Sequence, residues 1–310
     1  MQALLPLAMG VALLVDHLGE PPAWAHPVVG MGRYLGLFRL DKLPPAPGFI
    51  AGALAWLVGA AAVAFIALWL QGHLLLALRP WSSPLRLLAT AALTGLLLKP
   101  LLAWRMLADE AMAVETALGK SLDAGRARLS RLVSRDTSAL SAGEVAGAAV
   151  ESLAENLSDS VVAPLLAYRA GGLPLAAAYR LTNTADAMWG YRGERHGRDW
   201  TWAGKWAARA DDLLSWLPAR LTALVLLPPS LLGVMREAHR TPSPNSGWPM
   251  AAMALRLDLR LSKPSVYTLH AAGRSATAAD LPAAHAVAQQ AVVAGTVLAA
   301  ALAWALRGTT

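Results

Sequence analysis

The chain contains no cysteine. Disulfides, thiolate-held metals, iron–sulfur clusters and cysteine nucleophiles are therefore excluded. Charge is scarce as well: Asp, Glu, Lys and Arg make up 15% of the 310 residues, where a soluble globular chain carries about a quarter. Internal repeats, low-complexity tracts and flexible linkers are also missing, so one domain over residues 1–310 is the simplest organisation. No His-Glu-x-x-His zinc helix and no Gly-x-Ser-x-Gly elbow occurs. Gly119-Lys120-Ser121 imitates the end of a phosphate-binding loop, but Val114 stands where the first glycine is required. Gly30-Met31-Gly32 lacks the third glycine of a dinucleotide fingerprint. Any nucleotide must be held by a non-standard site.

What the chain has in quantity is apolar surface. Apolar residues form 56% of it and the mean hydropathy is +0.43. They are bunched into segments rather than spread at a period of two or 3.6, which is the pattern of a chain that lives in lipid. The expected fold is an all-α, polytopic integral membrane protein with roughly four to six transmembrane helices and long helical cytoplasmic loops. Residues 49–70 are the clearest span, followed by 85–104, 213–234 and 286–306. Lys99, Pro100 and Arg105 close the second at what should be an interface, and Arg220 with Pro228-Pro229 should kink the third or make it re-enter. Residues 161–181 hold Arg169, Gly171-Gly172 and Pro174, which suits two half-helices joined by a turn, or a surface hairpin. Residues 1–15 lack a basic flank and a cleavage site and read as a retained helix.

Lys and Arg number 27 against 20 Asp and Glu. On this chain the excess suits cytoplasmic loops and anionic headgroups; no stretch interleaves it with aromatics, so nucleic acid is not an expected partner. Arg126, Arg128, Arg131 and Arg135 give the helical stretch 106–160 a basic surface, and loop charge places that stretch in the cytoplasm.

Candidate chemistry sits in the polar stretches. Glu151, Glu155 and Asp159, four apart, should form a carboxylate ladder on one helix face. Their repulsion calls for a divalent cation such as Mg²⁺, basic side chains or substrate amines, or else for a solvated face paired with the upstream arginines. Asn183 and Asp186 could share a face, while Arg192 and Arg195 are planar donors suited to phosphate or to interfacial anchoring. Asp211-Asp212 either act or cap the next helix, and Arg220 needs an acid or a phosphate. Thr241 to Pro249 must be a shaped loop presenting Ser243 and Asn245. Asp16, Glu20, His26 and Arg33 lie among Pro21-Pro22 and Pro27 in another rigid loop.

These motifs occur in a definite order. Asp16…Glu20-Pro21…His26-Pro27…Arg33, Arg135-Asp136-Thr137, Glu151-Ser-Leu-Ala-Glu155-Asn156, Tyr179-Arg180…Asn183…Asp186…Gly190-Tyr191-Arg192, Asp211-Asp212…Arg220 and Pro242-Ser-Pro-Asn245-Ser-Gly247-Trp248-Pro249 together resemble the adenosylcobinamide-phosphate synthase family, CobD/CbiB, over residues 10–268. The resemblance implies ATP-dependent joining of (R)-1-amino-2-propanol phosphate, or aminopropanol or ethanolamine phosphate, to the free propionate of adenosylcobyric acid, giving adenosylcobinamide phosphate. It implies ATP and Mg²⁺ as cofactors, a bacterial inner membrane with the site facing the cytoplasm, and association with other cobalamin-assembly enzymes. Catalysis would then fall to Glu151, Glu155, Asp159, Asp186, Asp211 and Asp212, with the first three holding Mg²⁺. Substrate and phosphate would be bound by His26, Arg33, Asn183, Arg192, Arg220, Ser243 and Asn245. Departures are Met250 where an acid is usual, and Leu157, Ser158 and Ser160 around Asp159. The competing expectations are a membrane sensor like the AmpE proteins, which would not need this polar apparatus, and a corrinoid transporter, which would show two corresponding halves.

Overall fold

The computed structural model describes residues 4–195 and 197–305, without the side chains of 195 and 298–305. In chain order its helices begin with α1 (Leu4–Asp16), α2 (Pro27–Gly36), α3 (Pro45–Ala77), α4 (Ser83–Leu98), α5 (Trp104–Leu118), α6 (Leu122–Leu129) and α7 (Ala142–Leu157). They continue with α8 (Ala163–Trp189), α9 (Lys205–Leu214), α10 (Trp216–Val225), α11 (Leu231–Ala238), α12 (Gly247–Leu257) and α13 (Asp280–Ala305). Two compact units emerge, one from residues 1–103, 163–214 and 298–310, the other from 104–162 and 215–297.

Three helical runs among the described residues are long and apolar enough to cross a membrane: Pro45–Ala77, Ser83–Leu101 and Ala142–Trp189. The first contains the expected span 49–70, the second most of 85–104. The third passes from α7 through a π-helical turn, Ser158–Val162, into α8. Within α8, Gly171 and Gly172 leave helical geometry, Gly172 at a φ of 67° that favours glycine, so 161–181 resolves as two half-helices. The stretch 213–234 is not one span. It divides into the end of α9, then α10 and α11, because Ser215 breaks the first junction and Pro228-Pro229 deny backbone donors to the second. Residues 286–306 fall within α13, apart from Leu306, which lies outside the described residues.

In the first unit α3 shows how an apolar helix packs. Its window of mean hydropathy 2.3 carries exposed Leu57, Phe65 and Leu68, while the buried positions are Gly48, Gly52, Ala55 and Gly59. Small residues at that spacing let backbones approach, which matters in lipid, where burial of greasy side chains gives no drive. At Gly52 a Cβ would overlap the backbone of Ala203. Lys99, at the end of the second run, is 4% exposed, with Nζ 2.6 Å from Glu20 Oε2 and 3.5 Å from the buried Asp16 carboxylate.

The second unit is built around α7, whose face from Val145 to Leu157 is almost wholly buried. Ser141 starts it with a capping box, its hydroxyl accepting from Glu144 N while the Glu144 carboxylate accepts from Ser141 N. Here the all-α expectation needs correcting. A hairpin, β1 (Glu194–Arg195) with β2 (Arg198–Asp199), belongs to the first unit, and a three-stranded sheet to the second. In that sheet β3 (Leu259–Lys263) lies between antiparallel β4 (Tyr267–Leu269) and parallel β5 (Arg274–Ser275). Asp258, at a left-handed φ of 54°, ends α12, and Leu259 and Leu261 then alternate inward.

At the head of α13, Asp280 accepts from Thr277 N and Oγ1 and pairs with both Nη atoms of Arg274. Arg274 first, with the Thr277 donors, holds the Asp280 carboxyl down at about 2. Its stabilising effect is therefore full above the unfolded carboxylate value of about 3.9 and fades as pH falls from there toward 2. Asp280→Ala should cost about 1–2 kcal/mol at neutral pH, read from melting of the detergent-solubilised chain, and markedly less at pH 2.

Candidate functional site

In the first unit, the second half of α8 and the helix α9 pack side by side, and two polar motifs meet there. The 9%-exposed Arg180 donates from Nη1 to Asn183 Oδ1 at 3.2 Å, and Asn183 Nδ2 donates to Asp211 Oδ1 at 3.4 Å. This chain fixes which way the Asn183 amide points: oxygen to the cation, nitrogen to the acid. One turn on, the Asp186 and Asp212 carboxylates lie near enough for their charges to interact. Burial pushes the Asp212 carboxyl up, against the pull of the Arg192 guanidinium. Gly190 allows this. A Cβ there would overlap Asp186 Oδ1, and Gly190 N instead donates to Asp186 O at 2.7 Å.

Asn183, Asp186, Arg192, Asp211 and Asp212 are thus gathered in one place, and Arg180 joins them although it was not counted among the candidates. Asp211 and Asp212 do not cap a following helix: both lie inside α9. The Arg195 side chain lies outside the described residues. Arg33 is on the exposed last turn of α2. His26 is held at both ring nitrogens by the protein. As the N-cap of α2 its Nδ1 accepts from Val28 N, so Nε2 carries the proton and donates to Glu20 Oε2 at 3.2 Å.

In the second unit the acids of α7 face another set. Glu151 is 4% exposed and bridged at 3.1 Å by Arg135, with the Tyr267 hydroxyl near the same carboxylate and donating to Met250 Sδ at 3.8 Å. Burial first, then the charges of Glu151 and Glu155, push the Tyr267 phenol up. Asp159 lies in the π-helical turn, where the wider winding interrupts an α-helical ladder. Among the described residues no three acidic or histidine side chains are grouped to hold a metal ion, Glu151, Glu155 and Asp159 included. The arginines foreseen as a basic surface are partly turned inward as well: Arg126 bonds Leu140 O, Arg128 Glu110, and Arg135 Glu151.

Arg220 is held on several sides. Its guanidinium lies 4.6 Å from the ring centres of both Trp216 and Trp248. Nη1 donates to Asn245 Oδ1 at 2.6 Å and to Trp216 O, and Nη2 donates to Pro244 O at 3.0 Å. Every acceptor named is neutral, so the positive charge stays available to an anion. Ser243 shapes the loop, its Oγ accepting from Asn245 N and Ser246 N at 3.2 Å each. That loop is shorter than expected. Trp248 and Pro249 already belong to the first turn of α12, where proline loses no helical bond.

Tyr267, Arg180, Lys99 and the two indoles around Arg220 were not foreseen as site residues. Arg180 and Trp248 stood within the ordered motifs, and Lys99 closed an apolar run together with Arg105.

A family model for the CobD/CbiB protein matches residues 9–301. The chain belongs to the CobD/CbiB family. Among curated members it is similar to the probable cobalamin biosynthesis protein CobD of Methanothermobacter thermautotrophicus, 38% identical over 84% of each chain. It is 37% identical to the cobalamin biosynthesis protein CobD of Brucella suis over 90% of each, and 36% identical to that of Sinorhizobium sp over 96% of this chain and 98% of the relative. No solved structure matches. The family match reaches beyond residue 268, through the sheet and into α13.

Proposed function

We propose that this chain acts in cobalamin biosynthesis as an ATP-dependent amide ligase of a bacterial inner membrane, its site facing the cytoplasm. The reaction joins adenosylcobyric acid, through its free propionate, to an amino-alcohol phosphate such as (R)-1-amino-2-propanol phosphate, and gives adenosylcobinamide phosphate. Alongside family membership, the observation that carries this reading is the meeting of Asp186 with Asp212 beside Arg192. Asp186, with a second carboxylate charge beside it, would suit a Mg²⁺ whose other ligands are phosphate oxygens; neither there nor on α7 do the described residues form a three-ligand protein cage for one. Bound there, Mg²⁺ would neutralise phosphate charge during transfer.

Asp186 would hold the metal side of the site and Arg192 would receive phosphate. Asp212, with its carboxyl raised by burial, accepts the proton lost by the attacking amine. Arg180 and Asp211 hold the Asn183 amide in one orientation for substrate. In the second unit the neutral ligation of Arg220 leaves its charge for a second phosphate. Arg220→Lys keeps that charge but loses the fork and the stacking, so amide formation should fall about tenfold or more, chiefly in KM for a phosphorylated substrate.

The test is to supply membranes bearing the chain with adenosylcobyric acid, aminopropanol phosphate and Mg²⁺-ATP, and to seek the amide by mass. Product that depends on ATP supports the ligase. If control membranes bearing another ligase of this reaction are active and these are not, a non-enzymatic sensor is the better reading.

A further inference from the structure

The first unit contains a cavity of about 560 Å³ that the proposed chemistry does not use. Its walls are α2, α3, the end of α4 with the 3₁₀ turn after it, and the second half of α8. Met31, Tyr34, Ile66, Leu70, Leu97 and Leu181 are among its linings, and the volume is that of an ordinary ligand pocket, roughly 300–1,000 Å³. Tyr34 is its one polar side chain, and that hydroxyl already donates to Ala55 O at 2.7 Å. The neighbouring charges are bound to one another as well: Lys99 to Glu20 and Asp16, and His26 to Glu20. A polar ligand would thus lose its hydration without gaining a side-chain partner, and a hydrocarbon would lose nothing.

The source of that hydrocarbon follows from the walls. Three of them belong to the runs apolar enough to cross a membrane. Ile66 is 55% and Leu70 37% exposed while also lining the cavity, so it is continuous with the apolar outer face of α3.

We propose that this cavity holds one acyl chain of a membrane phospholipid, and that the His26-Pro27…Arg33 motif exists to place α2 as its wall. The N-cap bond of His26 and the Tyr34–Ala55 bond fix the angle of that helix. The inference requires that α3 and α4 lie in lipid; it does not depend on the reaction.

The experiment places the full chain in nanodiscs whose phospholipid carries a diazirine in one acyl chain, followed by light and peptide mass analysis. Adducts should form at Met31 and Tyr34 as well as at Leu57 and Phe65 on the outer face of α3. Nothing lies within 4 Å of a Cβ built on Gly30, so Gly30→Leu can fill the cavity. It should lower adducts at Met31 and Tyr34 several-fold and leave Leu57 and Phe65 unchanged; Ala62→Leu, from the α3 wall, should do the same. Absence of α2 adducts in the unaltered chain, or adducts there that neither variant reduces, overturns the proposal. So does their loss on adding adenosylcobyric acid, which would give the cavity to the corrinoid.

Discussion

Membranes bearing Asp186→Asn should form the amide about 10²–10³-fold more slowly than those bearing the unaltered chain, with the protein still folded. The substitution keeps the shape and hydrogen-bonding reach of the side chain and removes only its charge. What is lost is the anionic ligand that a bound Mg²⁺ would need. Asp212→Asn should be as severe, since it removes the proposed proton acceptor. Its stability should move the other way. A carboxyl whose folded value is raised binds its proton more tightly in the fold than in the unfolded chain, so stability falls as pH climbs through that interval. At neutral pH Asp212→Asn relieves that cost, and its melting temperature should not drop. A variant that was inactive and also unstable would point to a structural role instead.

Lys99→Ala should destabilise the chain by about 3–5 kcal/mol, the usual effect of leaving a buried charge without its partner. Lys99 is the common partner of Asp16, which is fully buried, and of Glu20. Without it two carboxylates share an apolar setting, and His26 alone remains to bond Glu20. Loss of the Glu20 contact would also loosen the N-cap that sets α2. Thermal unfolding in detergent gives the measurement. The triple replacement Lys99→Met, Asp16→Asn and Glu20→Gln should recover part of the loss, because a well-packed neutral set avoids the desolvation that the ion cluster suffers.

The parts of the fold legible in the sequence were those set by runs of one character. Residues 49–70 are apolar on every side of the helix, and nothing local competes with a span there. Gly171-Gly172 announced a break and produced one. By contrast 213–234 is apolar in sum but punctuated: hydropathy averaged over a window hides Ser215 and the Pro228-Pro229 turn, and these decide the local backbone. The short strands were hidden for the opposite reason. Five residues of β3 are too few to show a period, and their pairing with β4 and β5 is a contact between segments.

The site was legible as residue types and only partly as geometry. Asn183, Asp186, Arg192, Asp211 and Asp212 were recognisable because charge is rare in so apolar a chain, and helix packing gathers them. Their arrangement, Asn183 between Arg180 and Asp211 and Asp186 against Asp212, depends on the angle between α8 and α9, which no local pattern encodes. The carboxylates of α7 were legible by spacing, and Glu151 and Glu155 do act on the same phenol, Tyr267, but Arg135 and Tyr267 come to Glu151 from elsewhere in the unit and the π turn that holds Asp159 has no local signal. His26 likewise carried a motif signal whose meaning, an N-cap with a fixed tautomer, appeared only with its neighbours in place.

The measurement that bears most directly on carboxylate activation at the Asp186–Asp212 site uses adenosylcobyric acid labelled with ¹⁸O in its free propionate. The purified chain in nanodiscs would be given this acid with aminopropanol phosphate and Mg²⁺-ATP, and the released inorganic phosphate analysed by mass. If ATP phosphorylates the carboxylate and the amine then displaces phosphate, one labelled oxygen appears in the phosphate for each amide formed, and Asp186→Asn suppresses label and amide together. Amide formed with no label in phosphate, or formed at an undiminished rate by the variant, would contradict the account.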